Sequence, residues 1–302
     1  MKMLVASAGG DKAGVLFGMV KRLFLDDPAN TDWDVCAGIS AGSIVSAFVC
    51  QTSKCNPHEF AKSLEHFEGK LLSKKFHPLV PWHHNSWLNM LSAMLWHGSM
   101  YQGGVEQLVS TNLGSLRREL KAGAFNMDKS RYETLGTLRG VMASCAVPVA
   151  FPSVEINGMQ YTDGSMAHWF PVREMVDFIM RDGEKSVDLL LCLPLNRDDF
   201  FRTCNTSSTR KMVHSVYDTL NQRNWLTFDE DCQVLRDMGI DVREGVQYIP
   251  EYNLTLRIVS PEPVEYSDFN HITPTTMHRL IESGMKSVER QREQRCVIQG
   301  KM

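Results

Sequence analysis

The stretch Trp33-Asp34-Val35-Cys36-Ala37-Gly38-Ile39-Ser40-Ala41-Gly42 runs from an apolar segment into a serine flanked by glycines. Trp33–Ala37 reads as a short buried strand, and Ile44–Val49 is apolar enough for a buried helix. Between them, Gly38-Ile39-Ser40-Ala41-Gly42 is a Gly-x-Ser-x-Gly pentapeptide. Such a turn is sharp, its serine sits on a strained backbone, and the flanking glycines remove side chains that would clash. The Ser40 Oγ is expected at the carboxyl end of a sheet. The Ala41 N–H, opening the next helix, points toward the same spot. The alternative is a plain strand-to-helix turn in which Ser40 is only a cap.

The same grammar appears immediately upstream. Met3–Ala6 reads as a buried first strand, Ser7–Gly14 as a glycine-rich loop, and Ala13–Leu25 as a helix stopped by Asp26-Asp27-Pro28. Strand, glycine loop, helix, strand, glycine turn, helix is α/β grammar with a parallel sheet. The loop Ser7-Ala8-Gly9-Gly10-Asp11-Lys12-Ala13-Gly14 is able to converge main-chain N–H groups on an anion. It lacks the Gly-Lys-Ser/Thr of a phosphate loop, and Gly-x-Gly-x-x-Gly fails in register. A nucleotide site is therefore a distant reading, whereas an oxyanion loop needs neither pattern.

Downstream, residues 57–75 and 103–120 read as helices, the latter with Arg117, Arg118 and Lys121 near a C-terminal end that suits cations. Residues 76–101 concentrate Trp82, Trp87 and Trp96 with several methionines and histidines. This segment reads either as a buried helix pair or as a lid that touches lipid, because Trp favours interfaces and Met adapts to varied chains. Its histidines are too irregularly spaced for a metal site. Val187–Leu195 is the clearest buried strand, Thr203–Thr209 a polar loop, Lys211–Met238 a helix, Asn253–Val259 a late strand, and His278–Arg290 a closing helix with a polar tail that frays. No repeat or linker divides the chain, so residues 1–302 read as one domain.

Composition narrows the function classes. The 302 residues are 43% hydrophobic and 22% charged, as expected of an ordinary globular chain and not of a disordered or coiled-coil one. A net charge of −3 argues against a generic nucleic-acid binder. The eight cysteines include no Cys-x-x-Cys pair and read as reduced thiols. The apolar run Met3–Ala6 is too short for a signal peptide, and no stretch of about 18 apolar residues is present. The expected setting is cytoplasmic, with peripheral membrane contact through 76–101 under its second reading. No acidic cluster suggests calcium, and no metal or cofactor is expected.

A third signal is Tyr161-Thr162-Asp163-Gly164-Ser165, in isolation an ordinary Asx-type turn. Ahead of it runs Ala143-Ser144-Cys145-Ala146-Val147-Pro148. Together with the glycine loop and the Gly-x-Ser-x-Gly turn, these motifs resemble the patatin-like phospholipase family, in order and spacing, over about residues 3–195 with a weaker echo to about 290. The resemblance implies a three-layer α/β/α fold with a mostly parallel central sheet. It puts the nucleophile at Ser40 and its general base at Asp163. Gly9, Gly10 and Lys12, with Ala41, fall on the oxyanion loop, and Gly38, Gly42 and Gly164 are motif glycines. It implies a lipid acyl hydrolase acting on a lipid or other ester through an acyl-enzyme, by a Ser-Asp dyad without histidine. An exposed aspartate, with a pKa of about 3.9, is a poor base, so burial beside Val147–Phe151 is expected to raise it. Lys12 either positions the loop or binds a phosphate headgroup.

Three residues depart from the family pattern. Ala8 and Ala13 stand where glycine is usual and narrow the approach to the oxyanion. Ser165 adds a hydroxyl able to hydrogen-bond Asp163 and lower its basicity. Two rival readings stay open. An α/β-hydrolase triad would use His168, His214, His271 or His278, although in that fold several strands normally precede the nucleophile. A lipid-binding protein on the same fold would have lost its chemistry to Ala8, Ala13 and Ser165.

Overall fold

Four of the five residues of Lys2–Ala6 are apolar and fully buried, and this segment forms β1 at the centre of a sheet. The computed structural model describes residues 1–72, 116–148, 151–194, 208–261 and 274–299, without the side chains of residues 11, 208–218, 220–221 and 292–299. After β1 come a 3-10 turn (Gly10–Lys12), α1 (Ala13–Asp26), β2 (Val35–Ile39), α2 (Ala41–Cys50) and α3 (Pro57–Leu71). Next are β3 (Glu119–Asn126), β4 (Arg131–Leu135), α4 (Leu138–Ser144), β5 (Val154–Ile156) and β6 (Met159–Asp163). A 3-10 turn (Gly164–Met166), α5 (Val172–Ile179), β7 (Lys185–Leu190), α6 (Ser208–Asp237), β8 (Gly245–Ile249), β9 (Leu254–Val259) and α7 (Pro274–Gln299) complete the described chain.

The strands form one sheet in the order β5-β6-β3-β2-β1-β7-β9-β8, with β4 also paired to β3. The five central strands, β3-β2-β1-β7-β9, run parallel, and the margins are antiparallel. Alternation along the strands divides the core. Leu4, Cys36, Leu120, Ala122 and Leu190 face α1, α2, α3 and α7. Met3, Val5, Val35, Ala37, Val187 and Leu189 face α5 and α6. That is the expected three-layer α/β/α arrangement.

β3 explains how distant parts of the chain meet. β2 pairs with residues 119–123 of β3 and β6 with residues 124–126. The Glu119 N–H donates to the Asp34 carbonyl (3.4 Å) and the Met127 N–H to the Gln160 carbonyl (2.8 Å). Residues 119 and 127 share a parity, so their N–H groups leave β3 by the same edge. β2 and β6 therefore lie end to end along that edge, each terminating where the other does. β4 overlaps both in register and takes the opposite edge.

Several element boundaries differ from the sequence reading, among them β7, which ends at Leu190, short of the expected Leu195. β2 starts at Val35 because the parallel register with β1 begins at Met3↔Val35. Trp33 precedes it, and its indole N–H donates to Asp188 (2.7 Å). Residues 119 and 120, expected to end a helix, open β3 instead. Arg118 is no dipole-compensating cation there. Its buried guanidinium donates to the carbonyls of Thr52, Trp33 and Ser53 and pairs with Asp32 (3.1 Å). A buried cation needs such partners, and these carbonyls lie at the end of α2 and the entrance to β2. α7 starts four residues earlier than the reading placed it, and its backbone stays helical to Gln299. Residues 76–101 lie outside the described residues, and no described helix is long and apolar enough to cross a membrane.

Candidate active site

Ser40 joins β2 to α2 with φ 52° and ψ −122°, a region that L side chains rarely occupy. Holding a serine there costs about 1–3 kcal/mol. The flanking glycines make it feasible. A Cβ on Gly38 would overlap the Gly42 carbonyl, and one on Gly42 would overlap the Ala6 and Ser7 carbonyls. The first turn of α2 thus sits directly on the end of β1, beside the glycine loop. Ser40 is 6% exposed.

Asp163 arrives from the opposite direction as the last residue of β6, paired with Ala124, while Ile39 pairs with the adjacent Gly123. A Cβ on Gly164 would overlap the Gly123 carbonyl and press on Ile39 Cγ2 (3.2 Å), so the strand ends are in contact. Asp163 is fully buried. Burial, the largest influence, pushes its carboxyl up to about 6, against the pull of the Ser165 N–H (2.8 Å), the Ser40 hydroxyl and the Ser165 hydroxyl. Ser165 thus lowers basicity in the expected direction, and desolvation outweighs it. Ser40 is close enough to favour the ionised carboxylate, yet Asp163 Oδ2 has no hydrogen-bond partner. The two groups stand side by side without a formed hydrogen bond.

The end of α4 closes the gap between the strands. In an uninterrupted parallel ladder the Ser40 N–H would reach the Gly123 carbonyl. Here the Ser144 hydroxyl is inserted between them, accepting from the Ser40 N–H (2.9 Å) and donating to Gly123 O (2.6 Å). Two residues on, the Ala146 carbonyl accepts from the Asp163 N–H (2.9 Å) and from Thr162 Oγ1 (2.6 Å). Cys145, between them, donates its thiol to Ser40 O (3.2 Å). The Ala-Ser-x-Ala motif therefore grips both strand ends. Sequence reasoning registered the motif but assigned Ser144 no role, because its partners lie 104 and 21 residues away.

The remaining candidate residues divide. With the Ser40 N–H engaged by Ser144, the N–H of Ala41 is the next donor at the elbow. Gly10 has φ 57°, and neither its N–H, that of Gly9 nor that of Ala41 has a partner among the described residues. Of the two readings of Lys12, loop positioning finds a partner: its ammonium donates to the Leu193 carbonyl (2.9 Å), bracing the loop against the exit of β7. The Ala8 methyl is buried among Ile39, Tyr132 and Trp169, and Ala13 packs on the helical side of the core. Of the histidines, His168 Nδ1 lies 2.6 Å from Asp231 Oδ1 and His278 faces Glu282 (3.3 Å). No described histidine touches Asp163. The side chains of His214 and His271 lie outside the described residues. No group of three metal-ligating side chains occurs among the described residues.

A serine on a strained strand-to-helix turn and a buried carboxyl thus meet at two strand ends of a mostly parallel α/β sheet. The chain belongs to the patatin-like phospholipase family, whose model matches residues 4–176, and this membership sets it among lipid hydrolases in general. Similar solved structures include VipD from Legionella pneumophila, 13% identical with a TM-score of 0.36, covering 96% of this chain and 67% of that one. Another is the ExoU–SpcU complex of the Pseudomonas aeruginosa type III secretion system, 14% identical with a TM-score of 0.30, covering 78% of this chain and 51% of that one. No curated protein matches the chain.

Proposed function

We propose that the protein hydrolyses carboxylic esters of lipids through a Ser40–Asp163 dyad. Ser40 Oγ attacks the ester carbonyl carbon as its proton passes to Asp163. The tetrahedral oxyanion is held by the Ala41 N–H and by the N–H groups of Gly9 and Gly10. Collapse breaks the bond to the alcohol oxygen, which leaves with the proton from Asp163, and an acyl-serine remains. Asp163 then deprotonates a water that attacks the acyl carbon, and Ser40 recovers a proton as the fatty acid departs. The supporting observation is the end-to-end meeting of β2 and β6 on β3, which sets a buried carboxyl with a pKa of about 6 beside the elbow serine. A base of that pKa is ionised at neutral pH and still accepts a proton readily.

The reading covers the chain as one domain, since α6 and α7 pack on the same sheet as the elements of the matched region. The six described cysteines are free thiols, in keeping with a cytoplasmic setting. The test is incubation of purified protein with vesicles of phospholipid, lysophospholipid or triacylglycerol, followed by mass spectrometry of the products. Fatty acid is expected from at least one lipid class, with the rate reduced at least about 10³-fold in Ser40→Ala and Asp163→Asn. Undiminished release by either variant would exclude the dyad.

A further inference from the structure

Beyond the region matched by the family, α6 carries Arg223, Thr227, Asp231 and Leu235 at four-residue spacing, one stripe of a helix. Thr227, Asp231 and Leu235 are buried. The stripe meets the segment that follows Asp163. Arg223 Nε donates to the Met166 carbonyl at 3.4 Å. Asp231 Oδ2 accepts from the Trp169 N–H (2.6 Å) and the Phe170 N–H (3.2 Å), while Oδ1 faces His168 Nδ1 at 2.6 Å. A carboxylate buried this deeply needs such partners. Packing alone would have been served by an apolar residue in this stripe, as Leu235 shows.

Trp169 passes the constraint on. Its carbonyl accepts from the Ala8 N–H (2.8 Å), and its indole N–H donates to the Cys192 carbonyl (2.6 Å). The Cys192 N–H in turn donates to Ser7 Oγ (2.7 Å), which donates to the Ala8 carbonyl (2.9 Å). Both polar groups of Ala8 are thereby fixed. The Ala8 carbonyl and the Gly9 N–H belong to one planar trans peptide and point in opposite directions, so fixing the first aims the second. Without that anchor, the glycines of this turn would leave the N–H free to reorient.

We propose that Asp231, held by His168, is a positioning residue that acts through Trp169 to aim the main-chain N–H groups of the glycine turn at the reacting carbonyl. The proposal rests on the ester-hydrolase reading above. It predicts an effect on the transition state, where an oxyanion exists, more than on substrate binding.

The test compares wild type with Asp231→Ala, Asp231→Asn, His168→Gln and Trp169→Phe in the full chain. Rates on a short-chain p-nitrophenyl ester are normalised to the concentration of titrated active serine, and amide exchange is followed in peptides covering residues 7–12. Asp231→Ala is expected to lower kcat per titrated site about 30-fold with KM within about twofold, and to speed exchange of residues 7–12 about tenfold. Asp231→Asn keeps an acceptor for the Trp169 N–H and is expected to recover most of the loss. If Asp231→Ala does not fold, His168→Gln and Trp169→Phe carry the same comparison, each with a smaller loss of kcat. A kcat per titrated site equal to wild type overturns the proposal, even where melting temperature or active fraction falls, as does unchanged exchange of residues 7–12. Wild type without titratable serine or turnover would instead defeat the hydrolase reading, and exchange would then decide whether Asp231 orders the turn.

Discussion

The two strand ends that meet on β3 carry opposite kinds of strain. At the end of β2 the burden is conformational: Ser40 has φ 52°, and glycines crowd on either side. At the end of β6 the backbone is relaxed, with Asp163 at φ −52° and ψ 134°, and the burden is electrostatic: a buried carboxyl with an unpartnered oxygen. A nucleophile must project from a turn, so its cost falls on backbone geometry. A base must hold a proton weakly near neutral pH, so its cost falls on solvation. The two burdens call for different substitutions to relieve or worsen them.

Crowding at the elbow sets the largest expected effect. Gly42→Ala drives a methyl into the Ala6 and Ser7 carbonyls, neither of which is a flexible side-chain end. The elbow and α2 must shift, and a loss of stability of more than about 3 kcal/mol is expected by denaturant unfolding, well above an ordinary surface substitution.

At the other end, relieving the burden should stabilise. An aspartate raised from 3.8 to about 6 corresponds to about 3 kcal/mol against the ionised fold at neutral pH. Between pH 4 and 6 the folded state keeps a proton that the unfolded chain has lost, so this part of the stability is present at low pH and disappears as pH rises through the window. Asp163→Asn is therefore expected to melt several degrees above wild type at pH 7.5, with the gap closing by pH 4. A gap of equal size at both pH values would place the electrostatic burden elsewhere. The same ionisation makes wild-type kcat/KM fall about tenfold per pH unit below about 6.

Ser144 links the two burdens, so its loss should reach both ends. Ser144→Ala leaves the buried Ser40 N–H and Gly123 carbonyl unpaired, a penalty of about 2 kcal/mol in stability. Because the elbow is then free to shift, kcat is expected to fall about 10²-fold. Stability lost without a change in kcat would show that the bridge matters only for folding. The smallest effect is a gain: Ser40→Gly accepts the same backbone without strain and should be about 1 kcal/mol more stable than Ser40→Ala.

The local grammar of the site was legible because its parts are contiguous. The Gly38–Gly42 pentapeptide predicts its own turn, β1 and β7 declare themselves as short apolar runs, and β9 declares itself by alternation. The positions of Ser40 and Asp163 followed from motif order. Their contact did not, since it depends on β2 and β6 sharing one edge of β3, a register that no local periodicity encodes. The same limit hid the bridging hydroxyl of Ser144 and the anchor at Asp231, whose partners are distant in sequence. The basic cluster at 117–121 misled for a related reason. Cations near a supposed helix end look alike whether they offset a dipole or, like Arg118, satisfy buried carbonyls from two other elements. For Lys12 both loop positioning and a headgroup stayed open in the sequence, because the partner that braces the loop, the Leu193 carbonyl, lies 181 residues away.

The central claim is that the carboxyl at the end of β6 makes the elbow hydroxyl reactive. Labelling intact protein with a fluorophosphonate at pH 7.5, then mapping the adduct by peptide mass spectrometry, tests it most directly. A single adduct on Ser40 is predicted, forming at least about 10²-fold more slowly in Asp163→Asn. An adduct on another residue, no adduct in folded wild type, or equal labelling rates in the two proteins would contradict it.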